Sequence, residues 1–198
     1  VTTPGGAPMK KRLGPSDRLY PMPCTLVCGG TVEAADACTV AWMGICATNP
    51  PRIAVALRGS RRTLELIRTN GTFTVNTPRA EDAAVADFFG IVSGHQRDKF
   101  AESGWTLEPS VEVAAPRIAE CPYQLECRVT HEIELGSHTL LVAEVVESHA
   151  DEGVLDVTGE KVDVGLLDPL VYIAGSREYR RLGEKVADAY TIGKSIGL

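Results

Sequence analysis

The chain has no uninterrupted apolar run approaching the roughly 18 residues that a bilayer-crossing helix needs. Its basic start, Lys10, Lys11 and Arg12, leads into Leu13-Gly14-Pro15 and not into an apolar signal core. Neither an anchor nor an export signal is expected. It also lacks any C-x-x-C pair: the six cysteines stand at Cys24, Cys28, Cys38, Cys46, Cys121 and Cys127. That spacing argues against a disulfide framework and against a zinc site. Thiols set in apolar or alternating runs read instead as small buried hydrophobes in a reduced cytoplasm. No G-x-G-x-x-G follows the first strand and no H-E-x-x-H occurs, which disfavours a dinucleotide-binding Rossmann domain and a metalloprotease. Charge is not in excess on the basic side either. A formal charge of −6 repels polyanions, so neither nucleic acid nor an anionic membrane is an expected partner.

What is present suits one compact domain: 198 residues, of which 44% are hydrophobic. Residues 1–18 mix proline, glycine and charge without periodicity and read as a surface arm, followed by a domain over 19–198. Pro23 to Cys28, ended by Gly29-Gly30, and Ala37 to Met43 form a hairpin. Asn49-Pro50-Pro51 breaks the chain before a buried strand, Ile53 to Leu57. Ser60 or a neighbour caps a helix over Thr63 to Arg68, with Leu64 and Ile67 on one face and Asn70-Gly71 as its stop. A strand over Thr72 to Asn76 resumes at once. Pro78, Glu81 and Asp82 favour a helix running to Phe89 and ended by Gly90, with a polar loop from Ser93 to Trp105. Tyr123 to Thr130 and Thr139 to Val146 make a long antiparallel hairpin about Leu135-Gly136-Ser137-His138. Leu170 to Ile173 is a last short strand, and Leu182, Val186 and Ala189 give the tail helical spacing. Strands outnumber helices and the helices sit in connections, so the fold class is mainly β, a barrel with helical insertions.

Two clusters could hold a phosphate. Ser93-Gly94-His95-Gln96-Arg97-Asp98-Lys99 offers a hydroxyl, backbone amides and cations together. Arg58-Gly59-Ser60-Arg61-Arg62-Thr63 stands where a strand meets a helix, whose first turn presents free N–H groups. Each taken alone also suits a solvated surface loop. His138, in the turn of the long hairpin, could hydrogen-bond a ligand. Trp42 either belongs to the core or lines a planar ring.

Taken in order, several segments resemble the flavin reductase-like, FMN-binding split-barrel family, which includes flavoredoxins and ferric or flavin reductases. They are Asp36 to Trp42, Pro50-Pro51, Arg61 to Ile67, Phe73 to Asn76, Ser93-Gly94 with Asp98-Lys99-Phe100, Leu125 to Cys127, and Gly136 to Leu140 with Glu144-Val145. The resemblance spans about Tyr20 to Tyr172. It implies a Greek-key split β-barrel, a homodimer, and one non-covalent FMN per subunit reduced by NAD(P)H. By position, Thr63 and Lys99 hold the ribityl phosphate, with Ser93, Gly94 and Arg61 in the same binding segments. Trp42 and Tyr172 wall the ring, Thr39, Ala41, Asn76 and Cys46 lie along flavin-facing strands, and His138 orients the donor or steadies charge. Asp36 falls where the family commonly has asparagine. An ionised carboxylate there would oppose a reduced, anionic flavin, so Asp36 lowers the potential, faces solvent or takes up a proton. The resemblance leaves three activities open: a flavin or ferric reductase, an electron carrier reduced by a redox protein partner, and a flavin-binding module without turnover.

Overall fold

The computed structural model describes residues 9–197. Its strands are β1 (Met22–Pro23), β2 (Thr25–Thr31), β3 (Ala34–Val40), β4 (Met43–Thr48), β5 (Pro51–Leu57), β6 (Thr72–Thr77), β7 (Leu107–Glu108), β8 (Arg117–Ile118), β9 (Tyr123–Glu134), β10 (Thr139–Ala150), β11 (Val171–Ile173) and β12 (Glu178–Arg180). Four α-helices interrupt them: α1 (Arg62–Asn70), α2 (Ala83–Ile91), α3 (Lys99–Ser103) and α4 (Val164–Leu167).

Seven strands form one antiparallel sheet in the order β3-β2-β6-β9-β10-β5-β4. Its two edges, β3 and β4, are consecutive in the chain and joined only by Ala41 and Trp42. A link that short cannot span a flat sheet of this width, so the sheet must curl until its edges meet. The Ala56 N–H, on β5, donates to the Trp42 carbonyl at 2.9 Å across the seam. The expected barrel follows from this closure. The link that closes it also carries Trp42.

Period-two alternation gives the wall two buried faces. On β2, Val27 points into the barrel with Val55, Phe73 and Leu141, while Leu26 and Cys28 point outward against Phe89 of α2 and Ile118. Helix α1 adds Leu64 and Ile67 to the inner cluster, both essentially unexposed. Each such side chain contributes about 1.5–3 kcal/mol on leaving water. Gly29 allows the approach, since a Cβ there would lie 2.7 Å from Ile67 Cγ1. That is why Gly29-Gly30 stays inside β2 and does not end it as expected.

The helices depart from the sequence reading in three places. The N-cap of α1 is Arg61, the neighbour of Ser60, within the expected range, though without a side-chain cap bond. Gly71 closes that helix as expected, in the left-handed region at φ 67. Glu81 and Asp82 fall in a 3-10 turn, Ala80–Asp82, and α2 continues through Gly90 to Ile91. Inside the expected 93–105 loop lies α3, capped by Asp98, whose carboxylate accepts from Ala101 N at 3.1 Å. The tail is not an α-helix at Leu182, Val186 and Ala189: residues 181–188 are irregular, and a 3-10 turn spans Ile192–Ile196. Leu182 and Val186 are exposed there, so no packing rewards a helix. Residues 9–18 form an exposed, irregular arm, and 1–8 lie outside the described residues. Five cysteines are buried and Cys46 is exposed. Burial pushes the Cys24 and Cys127 thiols up to about 12, which keeps them unreactive.

Candidate functional site

The seam between β3 and β5, the start of α1 and the end of α2 enclose a groove of three adjoining hollows. The first, about 350 Å³, lies between Arg58 at the end of β5, Ser60, Arg61 and Arg62 entering α1, and Ser93-Gly94 after α2. Arg61 Nη2 donates to the Gly90 carbonyl at 2.7 Å and Arg62 Nη1 to the Gly94 carbonyl at 2.9 Å. Arg61 therefore ties the last turn of α2, and Arg62 the loop after it, to the start of α1, and both residues border the hollow. Arg58 is exposed, and among the described residues its side chain makes no hydrogen bond or ion pair.

Behind this hollow sits a buried ion pair. Asp36 on β3 is 4% exposed and Lys99 on α3 is 2% exposed. Lys99 Nζ lies 2.9 Å from Asp36 Oδ1 and also donates to the Ala37 carbonyl. Thr63 Oγ1 donates to Asp36 Oδ2 at 2.5 Å. Asp36 thus does not face solvent; it is held by the two residues expected to hold a phosphate. Gly94 rests directly on the carboxylate, and a Cβ at this position would overlap it.

The second hollow, about 220 Å³, shares Arg58 and Arg61 with the first and is walled by Thr39, Ala41, Trp42 and His138. The Trp42 and His138 rings approach to 4.3 Å between centroids. Burial first, and the Arg58 charge second, hold the His138 imidazole below its ordinary value, so it is neutral at neutral pH. The third hollow, about 300 Å³, shares Thr39 and Ala41 with the second and adds Tyr172, Tyr179, Asp87 and Arg177. Tyr172 and Tyr179 pack with centroids 5.7 Å apart, and the Tyr179 hydroxyl donates to Asp87 Oδ1 at 2.9 Å. Burial and then that bond push the Tyr179 hydroxyl pKa up.

Of the residues expected at the site, Asp36, Thr39, Ala41, Trp42, Arg61, Ser93, Gly94, Lys99, His138 and Tyr172 border the groove, and Thr63 sits behind it on Asp36. Asn76 and Cys46 do not border it. Asn76 is wholly buried in β6, where its amide donates to Leu26 O and Thr74 Oγ1 and accepts from Ile118 N; no polar atom is left for a ligand. Cys46 lies exposed on the edge strand β4. The sequence reading missed Tyr179, Asp87 and Arg177. Tyr179 was absorbed into the supposed helical tail, although Glu178-Tyr179-Arg180 pairs with β11 as a strand. Gly193 to Gly197 has the spelling G-x-S-x-G, but it forms an exposed 3-10 turn in which Ser195 Oγ donates to Ile192 O. It has none of the strand-to-helix geometry of a nucleophile elbow.

The graded groove, cationic at one end and walled by aromatic rings at the other, agrees with comparisons to known proteins. Residues 17–183 match the model of the flavin reductase like domain. The flavoredoxin of Desulfovibrio vulgaris (Miyazaki F) superposes with a TM-score of 0.87 at 37% identity, covering 93% of this chain and 100% of that one. The flavoredoxin from Methanosarcina acetivorans superposes with a TM-score of 0.85 at 30% identity, covering 96% and 100%. The reductase component of the 4-nitrophenol 4-monooxygenase/4-nitrocatechol 2-monooxygenase of Rhodococcus opacus is 35% identical over 125 residues, 63% of this chain and 60% of that protein. With the family model spanning most of the chain, this split-barrel protein belongs to the flavin reductase-like family.

Proposed function

We propose that the groove binds FMN non-covalently and that the protein is an oxidoreductase passing electrons from NAD(P)H through it to an acceptor. The observation that carries this reading is the order of the hollows. An arginine-lined recess continues into a slot between Trp42, His138 and Tyr172, which suits a phosphorylated tail joined to a flat ring system. Bound FMN supplies the chemistry that no side chain here can, accepting a hydride and returning electrons singly or in pairs.

The protein's own residues bind and orient. Arg58, Arg61 and Arg62, with Ser60 and Ser93, would hold the phosphate; Thr63, Asp36 and Lys99 would form the layer behind it. Thr39, whose hydroxyl donates to the Ala86 carbonyl, joins β3 to α2 along the slot and keeps its width. Trp42 and Tyr172 give the ring apolar faces. Neutral His138 offers an uncharged imidazole as a hydrogen-bond partner to the ring or to an entering donor. Buried, protonated thiols fit a reducing compartment such as the cytoplasm. A homodimer is part of the proposal: the edge strand β4 carries exposed Ile45, and Ile133 and Leu135 are exposed at the tip of the β9–β10 hairpin.

A second reading, an electron carrier reduced by a protein partner, is favoured by the two flavoredoxins among the superposed structures. The visible spectrum of the protein with FMN, followed under argon after adding NADH or NADPH, tests both. Rapid bleaching of bound flavin supports the reductase. Bound flavin that neither nucleotide bleaches supports the carrier. Unperturbed flavin throughout overturns the flavin-site reading.

A further inference from the structure

The cations around the first hollow do not contribute equally. Arg58, Arg61 and Arg62 border it, whereas Lys99 is withdrawn to 2% exposure and its ammonium sits 2.9 Å from Asp36 Oδ1. Thr63, the neighbouring hydroxyl donor, is likewise spent on Asp36 Oδ2 at 2.5 Å. A phosphate group seeks the same two donors that this carboxylate has taken. Asp36 is moreover close enough to act on a ligand, because it lies against Gly94, in the loop that lines the hollow. In a poorly hydrated setting a lone ammonium attracts a phosphate strongly, whereas an ammonium already matched to a carboxylate offers it only a dipole.

We propose that Asp36 is a specificity-determining residue of this site: by claiming Lys99 and Thr63 it lowers the preference for a phosphorylated flavin over an unphosphorylated one. The inference rests on the flavin reading above. Phosphate recognition then falls to the three arginines, and the buried pair acts as a neutral floor. Asparagine has the shape of aspartate and keeps one acceptor, Oδ1 for Lys99, while its Nδ2 can donate to the Thr63 hydroxyl, but it leaves the ammonium charge free to act on a ligand.

The test is the ratio of riboflavin to FMN dissociation constants, measured by quenching of flavin fluorescence for the wild type, Asp36→Asn, Lys99→Met and the double variant. The ratio cancels any general loosening that weakens both flavins alike. Asp36→Asn raises it about tenfold or more; Lys99→Met, which strands a carboxylate beside the phosphate, lowers it by a similar factor; the double variant returns to within about threefold of wild type. An unchanged or lowered ratio in Asp36→Asn overturns the proposal. So does a double variant as poor as Lys99→Met, which would make Lys99 a direct phosphate ligand. If Lys99→Met does not fold, Asp36→Asn alone decides. Wild type that binds neither flavin sinks the flavin reading itself, whereas binding of both with ratios unmoved by Asp36→Asn sinks only this inference.

Discussion

The imidazole of His138 packs on the indole of Trp42, centroids 4.3 Å apart and planes tilted by 36°, which joins the turn of the β9–β10 hairpin to the seam of the barrel. The residues come from opposite parts of the chain, and their contact forms one end of the slot. It also ties His138 to pH. Its folded midpoint lies below the ordinary 6.5, so its contribution to stability is intact above 6.5 and is lost as the pH falls through that value toward the folded midpoint. Thermal unfolding at pH about 7.5 and about 5.5 therefore shows a larger drop for wild type than for His138→Gln, which cannot titrate. Equal drops would remove His138 from the account.

Arg58 offers the cleanest test of the cationic hollow, because its side chain is exposed and supports no other element. Arg58→Ala is expected to weaken FMN about tenfold, as for one charge-assisted contact, while riboflavin affinity stays put. The melting temperature should hold as well. Parallel losses for both flavins would instead show that Arg58 shapes the slot.

Gly94→Ala probes the packing of the loop on Asp36. The new methyl would overlap the carboxylate, and neither the loop, tied by Arg62, nor Asp36, tied by Lys99 and Thr63, has slack to move. A loss of about 1–3 kcal/mol is expected in chemical denaturation. A change below about 0.5 kcal/mol would mean the loop relaxes freely.

Away from the groove, Glu126 is fully buried on β9 and accepts from Val111 N at 2.9 Å, Glu112 N at 2.7 Å and His149 Nε2 at 2.7 Å. Burial resists its ionisation, but the two amides and the imidazole outweigh it, and its pKa is lowered from 4.5. The stability it supplies is present above 4.5 and is lost as the pH falls through the depressed midpoint. Glu126→Gln should cost about 1–3 kcal/mol at neutral pH, and the gap to wild type should close in acid. A gap that persists at the lowest pH would point to shape and not charge.

Much of the architecture could be read in the chain because its signals are local. Alternation from Tyr123 and from Thr139, the Asn70-Gly71 stop and the Pro50-Pro51 break each mark an element now in place. Closure into a barrel is not local: it depends on β4 pairing with β5 while β3 lies at the opposite edge. The cap of α1 falls on Arg61, next to Ser60, although serine is the better N-cap residue type, because the turn geometry and not the side chain sets where the helix starts. The tail failed because helical spacing in Leu182, Val186 and Ala189 has no surface to bury against.

At the groove, residue types were legible and their pairings were not. Lys99 and Thr63 were read as free donors, yet Asp36, from a strand some sixty residues away from Lys99, occupies both. Asn76 is expected at the flavin only through the family resemblance of Phe73 to Asn76, which does not say which groups its side chain meets. Both faces of β6 are buried here, so its polar group serves the scaffold. Tyr179 could have been found from the Tyr172 spacing only if the second strand of that hairpin had been recognised.

Helix α1 begins at the arginines of the cationic recess, and its last turn carries Arg68, which binds Glu132 and Glu134 near the hairpin turn that carries His138. Its nine residues set a length of about 13 Å. The helix is thus a ruler laid between the arginine-lined recess and the hairpin turn that carries His138. Adding or deleting one residue would swing Arg68 by about 100° off its acidic partners and shift the recess against the slot. Variation in this protein's relatives should therefore collect in the connections, while the residue count between Arg61 and Gly71 stays fixed.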